Sequence, residues 1–70
     1  MKTLILNTMS GSHYTILNDN GNVYLTGGVV GQAIEKITVK SEIVVGLQFI
    51  ASFANGQMIR TSPITSISAV

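Results

Sequence analysis

Few residues in this chain are equipped for chemistry. One histidine (His13), three carboxylates (Asp19, Glu35, Glu42) and four cations (Lys2, Lys36, Lys40, Arg60) are dispersed through 70 residues that include no cysteine. Nucleophilic catalysis needs a base beside a hydroxyl or thiol. Only His13 is available for that role, and no serine sits in a GxSxG elbow. It reads as a hairpin histidine with a solvated or locally bonded ring. Glu35 and Glu42 flank one strand and read as solubilising edge charges, not as a catalytic pair. One histidine and scattered acids make a poor metal cage, and a thiolate zinc site is excluded. Gly27-Gly28-Val29-Val30-Gly31 lacks the lysine-threonine ending of a phosphate loop, and no helix clearly follows it, so a β-bulge corner is the better reading. The expectation is a protein without catalytic residues, metal or cofactor, and an enzyme is the least supported class.

Arg60 is the residue that asks for a role. It is the sole arginine and stands in Met58-Ile59-Arg60-Thr61-Ser62-Pro63, among hydroxyls. A guanidinium fork suits phosphate or carboxylate, and hydroxyls add neutral donors. The expected ligand set is Arg60 as phosphate anchor, Thr61 and Ser62 as donors, Asn55 as a base or ribose contact, and Phe49 or Tyr14 as a stacking surface. The plainer reading is a solvated arginine that shields a strand edge.

Strands must position these residues. Thr3–Thr8, His13–Leu17, Asn22–Thr26, Ile34–Val39, Leu47–Phe53, Gln57–Ser62 and Ile64–Val70 are rich in β-formers. Asn20-Gly21 and Asn55-Gly56 carry the strongest short-range hairpin signal, because Asn-Gly accepts positive φ. Tyr14 and Ile16 are placed across from Val23 and Leu25. Ile37 and Val39 are expected to share a face, as are Leu47, Phe49, Ala51 and Phe53. Pro63 is expected to stop or bend its strand. A helix finds room only around Val30–Lys36, where β-branched residues argue against a long one. The predicted fold is all-β: one domain over residues 1–70, a small SH3-like or OB-like barrel of roughly five to six short antiparallel strands.

Length and composition add a second expectation. The chain is 46% hydrophobic and only 10% charged. So small a domain without disulfide or metal needs another source of stability, and a homo-oligomer is expected, with part of Ile43–Phe53 or Ile64–Val70 at the interface. Dispersed cations and a net charge of +1 argue against duplex nucleic acid or a membrane surface as electrostatic partner. No apolar stretch is long enough for a transmembrane helix, the start is too short for a signal-peptide core, and the lack of cysteine fits a cytoplasmic setting.

Two short motifs add a resemblance. Ser10-Gly11-Ser12-His13-Tyr14 and Gly56-Gln57-Met58-Ile59-Arg60-Thr61-Ser62-Pro63-Ile64 resemble a pattern of small phage and mobile-element β proteins, with an early SGS-x-Y hairpin and a late TSP-I/V closure. The ending is also similar to that of phage anti-Thoeris proteins, which sequester cyclic ADP-ribose-type immune signals between subunits. That resemblance implies a nucleotide sponge working in the host cytoplasm, with Arg60 on the ligand phosphate and Thr61 and Ser62 supporting it. Two other classes stay open. One is a protein-interaction module that inhibits a host protein. The other is a single-stranded nucleic-acid-binding barrel on which Tyr14 and Tyr24 stack bases.

Overall fold

The structure, a computed structural model, describes residues 2–70 apart from the side chains of residues 29 and 32. It contains β1 (Lys2–Thr8), β2 (His13–Asp19), β3 (Asn22–Gly27), a single 3-10 turn (Gly28–Val30), β4 (Gly31–Lys40), β5 (Gln48–Phe53) and β6 (Met58–Ala69). Each strand pairs antiparallel with the next in sequence, and β6 returns to pair with β1. The predicted small all-β barrel is therefore present, with six strands in meander order. Closure leaves no end strand to template aggregation.

The turns follow from their residues. At Asn20-Gly21 both central residues have positive φ, 53° and 88°, as a two-residue type I′ hairpin requires, and Asp19 pairs with Asn22. Phe53–Gln57 closes differently. Gly56 N–H donates to the Phe53 carbonyl at 3.0 Å, Phe53 N–H donates to the Gln57 carbonyl at 2.7 Å, and only Gly56 has positive φ. This is a three-residue loop, a type I turn followed by a left-handed glycine. Thr8–Ser12 repeats it, with Gly11 N–H to the Thr8 carbonyl at 2.9 Å and Thr8 N–H to the Ser12 carbonyl at 3.1 Å. The Gly27-Gly28 corner is a close approach: a Cβ on Gly27 would lie 2.5 Å from the His13 carbonyl oxygen, and one on Gly28 would enter the Tyr14 ring.

Several strand expectations change in the details. Residues 31–36 extend as part of β4 instead of coiling. The β4–β5 register shifts between Ile37 and Val39, so Ile37 is buried while Val39 is 67% exposed. A bulge supplies one extra residue, which flips every side chain beyond it. Leu47 also leaves the face of Phe49, Ala51 and Phe53, because it belongs to the turn at Gly46. Pro63 does not end a strand. β6 runs through it, pairing with β5 as far as Pro63 and with β1 from Ile64 onward. Proline, which lacks an N–H, stands where the strand changes partners, and its carbonyl accepts Met9 N–H at 2.9 Å.

The core holds Leu6, Tyr14, Ile16, Leu25, Ile37, Phe49, Ala51, Phe53 and Ile64. Ile16 lies opposite Leu25, and Ile37 opposite Phe53, so cross-strand pairs fill the interior. Two side-chain hydroxyls complete the ladder where it is irregular. The register shift between Gln48 and Ile50 leaves Phe49 N–H without a facing carbonyl, and the buried Thr61 Oγ1 accepts it at 3.0 Å. On the other side of β5, Ser41 N–H donates to the Ile50 carbonyl and Ser41 Oγ accepts Ile50 N–H. Among the described residues no buried side-chain nitrogen or oxygen lacks a partner.

Candidate functional site

Alternation along β6 separates the expected ligand residues. Arg60 faces outward, exposed, opposite Ile50 on β5. Thr61 turns inward, and its hydroxyl, besides accepting Phe49 N–H, donates to the Ser62 carbonyl at 2.7 Å. Ser62 faces outward again. Asn55 sits at a hairpin tip, where its Oδ1 accepts Gln57 N–H at 2.9 Å. Phe49 and Tyr14 are 0% and 3% exposed, inside the core. The structure joins Thr61 to Phe49 by a hydrogen bond, leaves Arg60 and Asn55 on the surface, and does not gather the six around one concavity.

The two motifs at opposite ends of the chain do meet. Ser62 Oγ accepts Ser10 N–H at 3.1 Å and donates to Ser10 Oγ at 3.1 Å. Ser10 Oγ reaches Ser12 Oγ at 3.4 Å and lies 3.3 Å from Thr8 Oγ1. Together with the Met9–Pro63 backbone bond, this cluster clasps the β1–β2 hairpin to β6 at the seam that closes the barrel. Serine suits such a seam because one short hydroxyl both donates and accepts. Beside the clasp, Asn7 Nδ2 donates to Ser66 Oγ at 2.8 Å and Asn7 Oδ1 bonds His13 Nδ1. The expected local bonding of the hairpin histidine is thus realised. Ser66 meets the amide, not the imidazole.

A concavity opens at the opposite end of the barrel. It lies between the start of β1, the β2–β3 hairpin, the segment after β4 and the end of β6, with a volume of about 500 Å³. Leu4, Ile16, Val23 and Ile43 make its walls, and Lys2, Lys40, Thr3 and Asn18 contribute polar atoms. Both lysines are exposed overall. Their stems can lie along the wall with the ammonium groups at the mouth. No Asp or Glu side chain is among the described lining residues. Such a size, apolar walls and a few polar groups are what small-ligand sites have in common. The sequence reading missed this site because its residues come from five strands and the loop after β4. The legible trace was Lys2 and Lys40 at the ends of two apolar strands.

Large hydrophobic residues also remain on the outside. Met9 is 70% exposed, Met58 64%, Ile34 62%, Leu47 57% and Val45 54%. Of the segment Ile43–Phe53 expected at a subunit interface, Phe49, Ala51 and Phe53 are interior, and Val44, Val45 and Leu47 are exposed. Among the described residues no group of three or more His, Cys, Asp or Glu is placed to hold a metal ion, and no helix is long and apolar enough to cross a membrane. No protein-family description, curated protein or solved structure matches the chain.

Proposed function

We propose that this chain is a non-enzymatic binding protein that captures a small phosphate-bearing metabolite, the class to which nucleotides belong, in the open end of its barrel. The observation that carries the reading is the cavity, in which Lys2 and Lys40 are the ionisable side chains among the described lining residues. An ammonium group is a competent point-charge partner for phosphate. Aliphatic walls supply the apolar contact, and Thr3 and Asn18 supply neutral polar atoms. A sponge that withdraws a signalling nucleotide is one member of this class. The ligand leaves such a site chemically unchanged. The exposed Met9, Val45, Leu47 and Met58 favour a homo-oligomer, and the same side chains support the second reading, a module that grips a host protein.

Calorimetric titration with cyclic dinucleotides, ADP-ribose derivatives and inorganic phosphate tests the reading on wild type, Lys40→Ala and Arg60→Ala. Loss of one charge-assisted contact of about 1.5 kcal/mol weakens binding roughly tenfold. The expected result is that loss in Lys40→Ala and no change in Arg60→Ala. The reverse pattern returns the site to Arg60. Absence of binding to every probe overturns the nucleotide member of the class.

A further inference from the structure

We infer that the body of the ligand is aliphatic, an alkyl or alicyclic group carrying a terminal phosphate, and that the cavity discriminates against a flat aromatic base. The inference rests on the ligand-binding reading above and deepens it. The walls are Leu4, Ile16, Val23 and Ile43, and no aromatic side chain is among the described lining residues. The residues suited to stack on a base are placed elsewhere. Tyr14, Phe49 and Phe53 are buried in the core. Tyr24 lies opposite Lys36 on β4 and is absent from the lining. Base recognition draws on aromatic stacking and on edge hydrogen bonds. Here the neutral polar partners are few, and Asn18 Oδ1 already accepts Gly21 N–H at 3.3 Å. Branched aliphatic walls instead reward each methylene withdrawn from water. The cations mark the head end, since Lys2 opens β1 and Lys40 closes β4. An amphipathic anion fits this polarity, apolar end inward and charge at the mouth.

A chain-length series tests it, with butyl, hexyl and octyl phosphate below their micelle concentrations beside 5′-AMP and inorganic phosphate. Affinity should rise by about fourfold per added methylene until the walls are covered, the value of one buried CH₂. AMP should bind no better than inorganic phosphate. Ile43→Ala, in the loop after β4, should flatten the series. Val45→Ala, exposed but outside the lining, should leave it unchanged and so exclude adsorption to the outer surface. Lys40→Met should weaken every member by the same factor and keep the slope. A series without slope, or AMP tighter than octyl phosphate, overturns the aliphatic assignment while phosphate binding stands. If no phosphate in the panel binds, the ligand-binding reading falls together with this one.

Discussion

Thr61→Val offers the most direct test of how this barrel is held at its irregular point. The substitution keeps the branched shape and removes only the hydroxyl. In the folded chain that hydroxyl accepts the buried Phe49 N–H at 3.0 Å and donates to the Ser62 carbonyl at 2.7 Å. Valine leaves the Phe49 amide without an acceptor at a residue that is 0% exposed. An unsatisfied buried donor costs about 1–3 kcal/mol. For a domain of this size each kcal/mol lowers Tm by roughly 4–8 °C, so a loss of 2 kcal/mol moves it by roughly 8–16 °C. Thr61→Ser is the control. It keeps the hydroxyl, deletes a methyl, and should cost about 0.5–1.5 kcal/mol. Thermal and urea melts followed by far-ultraviolet circular dichroism at one protein concentration measure both, since an oligomer's apparent stability depends on concentration. Valine should be the less stable of the two. If Thr61→Val matches wild type, or exceeds Thr61→Ser, the hydroxyl is not completing the ladder and the argument for its place in the fold is refuted.

The remaining predictions are simpler. Gly21→Ala meets open space and bears only the left-handed backbone penalty, about 1–2 kcal/mol, whereas Gly28→Ala also enters the Tyr14 ring and should lose about 1–3 kcal/mol more by overpacking; equal melting points for the two would contradict the close approach. Ser10→Ala and Ser62→Ala should be non-additive by about 0.5–1 kcal/mol in a double-mutant cycle, because each hydroxyl loses the same partner; strict additivity would remove the clasp from the stability account. Arg60→Ala, on an exposed outward position, should unfold within about 0.5 kcal/mol of wild type in the same urea assay. Sedimentation at micromolar concentration should show an assembly larger than a monomer, and a stable monomer would leave the exposed Met9, Leu47 and Met58 unexplained.

The sequence alone determined whatever depends on neighbours in the chain. Asn20-Gly21 specifies its turn because two consecutive positive φ angles are tolerable at few residue pairs. Alternation in Phe49-Ile50-Ala51-Ser52-Phe53 specifies an inward face, and the absence of cysteine and of clustered ionisable groups narrows the chemistry. Tertiary structure decided the rest. The extra residue between Ile37 and Val39 is invisible in composition, yet it turns Val39 outward. Pro63 reads as a stop, but β6 exchanges one partner strand for another there and passes through. Thr61 and Ser62 look like ligand donors in isolation; pairing of β5 with β6 sets the Thr61 hydroxyl against Phe49 N–H, and closure of the barrel brings Ser62 to Ser10. The end cavity is the clearest case. Lys2, Ile16, Lys40 and Ala69 share no local pattern, and only the antiparallel return of β6 onto β1 brings Lys2 and Ala69 to one rim. Turn chemistry and face alternation act over a few bonds, whereas a pocket is a property of which distant strands become neighbours.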